Sequence, residues 1–152
     1  MGARHVRTLI TGVDADGRSC VVSQDELVLN PVGPGFAMGI PYATTTSPPP
    51  ARPVGAAPLI DQYIDPGIVR WMVVDLGQNS ETPMHHTDTL DLQTVLSGTV
   101  DLVLDDRAHR LGVGDLVALT GVDHAWRTGA EGCRLSAVLI GTPAPDEEAR
   151  TQ

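Results

Sequence analysis

Short apolar runs separated by turn signals make up most of the chain, and no helical period of normal length interrupts them. Residues 4–11 and 19–29 each read as a strand rich in Val, Leu and Ile, joined by the turn Asp14-Ala15-Asp16-Gly17. From residue 68 onward the pattern is β throughout, with strands expected over 68–76, 92–96, 99–104, 108–111, 116–119, 124–128 and 133–140. Turns fall at Gly77-Gln78-Asn79-Ser80, at Asp105-Asp106 and at Gly112-Val113-Gly114-Asp115. Strands of this length, with a turn about every eight to twelve residues, predict an antiparallel sandwich or barrel.

The segment between the two β blocks breaks the pattern. Half of the 12 prolines fall between Pro41 and Pro58, and Thr44-Thr45-Thr46-Ser47-Pro48-Pro49-Pro50 has no apolar period. Such a stretch is not expected to join a sheet ladder. It reads as an extended arm or loose linker, in preference to a flap that would use Phe36, Met38 and Tyr42 as apolar contacts. The expected layout is therefore N-terminal strands over 1–30, a Pro/Gly-rich loop over 31–67, a barrel core over 68–142 and an acidic tail over 143–152.

Composition narrows the partners more than the fold. A chain of 152 residues with 41% hydrophobic content forms one domain with a real core. A formal charge of −9 offers no basic patch to a nucleic acid or an anionic bilayer, and no apolar run is long enough to span a membrane. The start, Met-Gly-Ala-Arg-His-Val-Arg, lacks the apolar core of a secretory signal. Cys20 and Cys133 match no metal or redox spacing and are expected to be reduced, so a cytoplasmic location is expected.

Candidate chemistry concentrates in residues 84–98, Met-His-His-Thr-Asp-Thr-Leu-Asp-Leu-Gln-Thr-Val-Leu-Ser-Gly. Imidazole, carboxylate and amide are donors for a borderline or hard divalent cation. Side chains alternate faces along a strand, so His85 and His86 cannot both point inward unless the backbone bends. Asp91, Gln93 and Val95 share one face; Leu90, Leu92, Thr94 and Leu96 share the other. A third histidine, His124, follows Gly121-Val122-Asp123 and precedes Ala125-Trp126. His5 and His109, near strand ends among arginines, are expected on the surface. Asp88 is expected to cap its own turn, and Asp101, Asp105 and Asp106 to be solvated hairpin charges.

The run His85-His86, four residues, Asp91, six residues, Gly98 resembles the first cupin motif, Gly-x5-His-x-His-x3,4-Glu-x6-Gly, with Gly77 near its leading glycine. Gly114-Asp115 through Gly121-x-x-His124 resembles the second motif, Gly-x5-Pro-x-Gly-x2-His-x3-Asn. The similarity to small single-domain bacterial cupins runs over about residues 68–141. It departs from the pattern in four places. A four-residue gap puts Met84 and His86 at the paired histidine positions, whereas a three-residue gap puts His85 and Thr87 there. The acid is Asp91 rather than glutamate, and Thr120 and Thr128 stand in for a proline and an asparagine of the second motif.

The resemblance implies an all-β, cupin-type antiparallel barrel or jelly roll. It also implies a divalent metal ion (Fe, Mn, Zn or Ni) held by His85 or His86 with Asp91, Gln93 and His124. A small, partly apolar organic substrate would sit in the barrel mouth, with His86, His124 and Asp91 moving protons and Gln93, Trp126 and Trp71 binding it. Tyr63 and Arg127 are lesser candidates beside them. The implied reactions are decarboxylation, isomerisation, cyclisation or dehydration, and dioxygenation. The alternative is a cupin that binds a small molecule without turning it over, or that has lost its metal. The N-terminal strands are expected to add to a partner's sheet in a homodimer.

Overall fold

The structure is a computed structural model that describes residues 6–145. His5, the beginning of the first expected strand and most of the acidic tail lie outside the described residues. Among the described residues eleven strands form, β1 (Val6–Val13), β2 (Ser19–Leu27), β3 (Asn30–Gly33), β4 (Phe36–Met38), β5 (Val69–Leu76), β6 (Thr89–Gly98), β7 (Val100–Val103), β8 (Ala108–Leu111), β9 (Leu116–Leu119), β10 (Ala125–Arg127) and β11 (Cys133–Gly141). No helix among the described residues is long and apolar enough to cross a membrane.

A six-stranded sheet, ordered β2-β1-β9-β6-β11-β5, faces a three-stranded one, ordered β10-β7-β8. Period-two alternation decides which side of each strand is buried. On β11, Leu135, Ala137 and Leu139 point inward while Arg134, Ser136 and Val138 point out. On β6, Thr89, Asp91, Gln93 and Val95 are the buried set beyond Leu90, so the odd-numbered face looks into the barrel. Leu9, Leu102, Leu111 and Leu119 are fully enclosed between the sheets, together with Val95, Val100, Val117 and Trp126. That apolar filling holds the two sheets together.

The N-terminal hairpin completes the chain's own large sheet. β1 pairs antiparallel with β2 and parallel with β9, with Leu9 opposite Val117. The same sheet runs β9 against β6 and β6 against β11, which sets Asp91 opposite Leu119 on one side and Leu139 on the other.

The Pro-rich segment does make ladder contacts, contrary to the sequence expectation. β3 and β4 form a separate two-stranded hairpin, with Pro31 opposite Ala37. A proline is tolerated there because β3 has a neighbour on one side only, so the missing N–H removes no second ladder bond. Further on, Leu59 bridges in parallel to His86: the Ile60 N–H donates to His86 O at 2.9 Å, and the His86 N–H donates to Pro58 O at 3.0 Å. Residues 51–60 are thus laid along the segment that carries the paired histidines.

Candidate functional site

Residues 81–86 run antiparallel beside β10, extending the smaller sheet by one short strand. His85 and His124 are the closest backbone pair in it, exchanging N–H···O bonds of 2.9 and 2.8 Å. Side chains of such a pair lie on the same face, and the two rings meet with centroids 4.3 Å apart. His124 also meets the edge of Trp126, 6.1 Å away, which places both rings on the core side. The turn that delivers His124 contains Gly121 at φ 82°, where a Cβ would meet the Thr87 carbonyl.

Both imidazoles are held by backbone carbonyls. His124 Nδ1–H donates to Val122 O at 2.7 Å and His85 Nδ1–H to Pro83 O at 2.8 Å. A carbonyl only accepts, so in each neutral ring the free lone pair is on Nε2. Burial, followed by the neighbouring His85, pushes His124 down to about 4, so it is a neutral base at pH 7.

The odd-numbered positions continue the row into β6. The Thr87 and Thr89 hydroxyls lie 2.8 Å apart, and Thr89 donates to Asp91 Oδ1 at 2.6 Å. Thr89 has one proton to give, so while Asp91 is ionised it is Thr87 that donates to Thr89. Gln93 Nε2 donates to Asp91 Oδ2 at 3.4 Å, a long bond. The other end of that amide, Gln93 Oε1, is buried and has no partner among the described protein atoms. Burial raises the Asp91 carboxyl to about 7, although Thr89 and Gln93 pull the other way. An unsatisfied carbonyl beside a carboxyl titrating near neutrality is a costly arrangement for a core with no ligand.

His86 does not belong to this row. Alternation turns it to the opposite face, where its Nδ1 lies 3.0 Å from Asp123 Oδ1. The second Asp123 oxygen accepts the N–H groups of Ala56 and Ala57 at 2.7 and 3.1 Å. Gly55 is needed beside it, since any Cβ there would collide with that carboxylate. Burial alone would raise the Asp123 carboxyl, but the Ala57 amide, the His86 imidazole and the Ala56 amide outweigh it and hold it below its ordinary range. Arg52, whose Nε donates to Asp88 Oδ1 at 2.9 Å, adds a second tie between arm and barrel.

The structure corrects several expectations on these grounds. The expected metal donors were His85 or His86 with Asp91, Gln93 and His124, and the structure turns His85, Asp91, Gln93 and His124 to the inner face without gathering them at one point. His86 faces away, Asp91 is engaged by Thr89 and Gln93, and no three His, Cys, Asp or Glu side chains among the described residues are placed to hold an ion. The residues present therefore do not fit the expected metal as a set, although two imidazole lone pairs stand side by side. Of the expected proton carriers, Asp91 and His124 lie on the inner face and His86 does not.

Trp71 is not at the mouth either. Odd positions of β5 point outward, and its indole Nε1–H donates to Ser136 Oγ at 2.9 Å on the outside of the large sheet. Tyr63 is exposed, and Trp126 is a core residue against His124. His109 is buried rather than on the surface, with Nε2 2.9 Å from Asp106 Oδ1. Asp88 serves Arg52 rather than its own turn. Asp105 accepts the Ser19 N–H at 2.9 Å, and Asp101 accepts from Arg110 and Arg127 at 2.6 and 3.2 Å. Thr87, Thr89 and Asp123 are not candidates from sequence; counting back in twos from Asp91 reaches the two threonines and then His85. The structure thereby selects the three-residue gap in the first motif, which sets His85 and Thr87 where the cupin pattern has its histidine pair.

No family model matches the chain. Two curated proteins do, phomopsin biosynthesis cluster protein C' and phomopsin biosynthesis cluster protein D of Diaporthe leptostromiformis. Each is 32% identical over 134 residues, covering 82% of this chain and 71% of the relative. Among solved structures, the polyketide cyclase RemF from Streptomyces resistomycificus aligns with a TM-score of 0.45 at 27% identity over 51% of this chain. The aligned part spans 56% of the cyclase's length. An RmlC-like cupin from Methanocaldococcus jannaschii aligns with a TM-score of 0.42 at 16% identity, covering 57% of this chain and 80% of its own. With 32% identity to relatives it spans for most of their length, and both motif-bearing segments set side by side in a two-sheet barrel, the chain belongs to the family of these biosynthesis-cluster proteins and is a cupin.

Proposed function

We propose that this cupin is an enzyme of small-molecule biosynthesis that moves protons on a partly apolar substrate bearing an enolisable carbonyl, in a cyclisation or dehydration. The observation that carries the reading is the inner row His85, Thr87, Thr89, Asp91, Gln93. It places a carboxyl titrating at about 7 next to an unpartnered amide oxygen, inside an otherwise apolar barrel. The names of the two curated relatives, proteins of a biosynthesis cluster, support the substrate class.

At pH 7 Asp91 is close to evenly divided between its two forms, so it can take a proton from carbon and return one to oxygen. Asp91 carboxylate removes a proton α to the carbonyl, and the electron pair passes to the carbonyl oxygen as an enolate. In a cyclisation the enolate carbon attacks a second carbonyl carbon of the substrate, the π pair of that carbonyl moves to its oxygen, and the protonated Asp91 gives the resulting alkoxide its proton. In a dehydration the protonated Asp91 gives its proton to the departing hydroxyl, which leaves as water. Gln93 Oε1 accepts a hydroxyl or N–H of the substrate, and the Nε2 lone pairs of His85 and His124 accept others. No step in this account passes through a metal, because the donor set does not fit one.

The test uses an aryl 1,3-diketone deuterated at its central carbon, with loss of deuterium followed by NMR. Wild type accelerates exchange, with a rate that climbs as pH passes about 7, and Asp91→Asn lowers it at least about a hundredfold. Binding of the diketone without accelerated exchange would replace the enzyme with a binding module. Elemental analysis on the same preparations, made without chelator or histidine tag, checks the metal. A near-stoichiometric ion that disappears in His124→Ala would overturn the metal-free mechanism.

A further inference from the structure

One end of the large sheet holds a buried hydroxyl that neither the fold nor the inner row uses. Leu90 and Thr142 point away from the barrel interior by the alternation of β6 and β11. They are nevertheless 3% and 4% exposed, and Leu90 is not part of the apolar cluster between the sheets. The Pro-rich arm covers this end. Between arm and sheet lies a cavity of about 250 Å³, with Leu90, Thr120 and Thr142 on one wall and Pro49, Pro50 and Pro53 on the other. Among the described residues no charged side chain lines it.

The hydroxyls along the sheet wall differ in one respect. Thr120 Oγ1–H donates to Thr11 O at 3.1 Å, and Thr11 Oγ1–H donates to Ala118 O at 3.4 Å. Thr142 Oγ1 is buried with no partner among the described residues. Its backbone is fixed all the same, the Thr142 N–H donating to Asp88 O at 3.0 Å.

We propose that this cavity binds a small neutral phenol, its ring between Leu90 and the proline faces and its hydroxyl against Thr142 Oγ1. Charge is the first argument, since an ion buried there would meet no countercharge. Polarity is the second. A buried hydroxyl without a partner is a standing cost, and a phenol both donates to it and accepts from it. Water is a poorer occupant, because a buried water needs two to four polar partners and the described side chains leave one free. Shape is the third. Proline rings are preorganised surfaces on which aromatic rings dock, and a ring with one polar end matches an apolar wall with one free hydroxyl. A cavity of about 150 Å³ accepts benzene, so this one admits a substituted ring and not a large polycycle. The arm wall is held by the Asp123 bonds to Ala56 and Ala57 and by Arg52 on Asp88, so a bound ring ties arm to sheet. The cavity is on the opposite face of β6 from Asp91, and the proposal stands whether or not the inner row is catalytic.

Titration of the full chain with phenol, followed by methyl NMR, tests this. The Leu90 and Ala51 methyl resonances shift saturably, with a dissociation constant on the order of 0.1–1 mM, while those of Val95 on the inner face stay in place. Thr142→Val keeps the shape and deletes the hydroxyl. It weakens phenol about tenfold and binds toluene at least as well as phenol, whereas Thr142→Ser retains phenol. Without ligand, Thr142→Val melts no lower than wild type, because no bond is lost. Asp123→Ala, which lies outside the cavity and frees its arm wall, also weakens phenol. No saturable shift up to about 10 mM phenol overturns the proposal. Shifts centred on Val95 overturn it too, since phenol then enters the inner row. So does a Thr142→Val protein that binds phenol like wild type, or one that melts lower, which would give the hydroxyl a structural role.

Discussion

His85 and His86 are neighbours in the chain and do opposite things. On the inner face, His85 stands against His124 and begins a row whose polar atoms are only partly satisfied, ending at the unpartnered Gln93 Oε1. On the outer face, His86 and Asp123 are part of a closed set in which the Asp123 oxygens have an imidazole and two backbone amides as donors. A satisfied cluster stabilises and fixes geometry, whereas an unsatisfied buried one costs stability and is kept where something binds. The same two residue types, histidine and aspartate, thus build a latch for the arm on one side and a candidate reaction site on the other. Variants that separate stability from chemistry tell the two faces apart.

The largest effect on stability is expected at the latch. Asp123→Ala leaves the Ala56 and Ala57 amides and the His86 ring without their acceptor and opens a space beside Gly55. The cost should be about 2–4 kcal/mol, read from denaturant unfolding. Limited proteolysis should cut within residues 51–58 well before global unfolding, because Asp123 is what holds that stretch. Asp91→Asn, by contrast, removes a buried acid whose charged form the fold disfavours, and should leave stability at pH 7 unchanged or higher. Equal losses in the two variants would erase the distinction between the faces.

Next in size is a pH effect in which the two inner groups oppose each other. Asp91 is raised in the fold from 3.8 to about 7, so its contribution is fully present below pH 3.8 and is lost as pH rises through 7. His124 is depressed from 6.5 to about 4, so its contribution is present above pH 6.5 and is lost as pH falls through 4. Between about pH 4 and 6.5 the two slopes cancel, and wild-type stability from this pair should be flat. Asp91→Asn should uncover a rise of on the order of 3 kcal/mol across that window, and His124→Gln a fall of similar size. Unfolding free energies at four or five pH values decide it. A wild-type slope that neither substitution changes would mean that these groups titrate normally.

The fold is legible in the sequence because alternation is strong where one face is buried. Most strands from residue 69 onward lie within a few residues of where the apolar pattern puts them, and β6 shows the inward odd face that Asp91, Gln93 and Val95 imply. The same alternation says that His85 and His86 cannot both point in. It does not say which one does, because the phase depends on pairing with residues 124–126, a long-range contact. The arm departs from its expectation for a related reason. Prolines forbid a regular ladder, but a bridge at Leu59 and two amide bonds to Asp123 need only a few free N–H groups, which local composition does not reveal. Trp71 suits a binding role by its chemistry alone, whereas the phase of β5 puts it outside.

The smallest expected effect on stability carries the sharpest information about the inner face. His85 is partly exposed, and its side chain is held by the Pro83 carbonyl and the His124 ring, so His85→Ala should cost less than about 1 kcal/mol. Its consequence for His124 is larger. Burial and the adjacent His85 are the two leading reasons that His124 titrates near 4, and removing the covering ring weakens both by admitting water and deleting a like charge. The His124 midpoint, followed through its imidazole proton resonances, should therefore move up toward 6.5, while the Asp123–His86 contact on the opposite face stays in place. An unmoved midpoint would show that the barrel wall and not His85 keeps His124 neutral. His85 would then have no part in preparing the base, and the inner row would begin at Thr87.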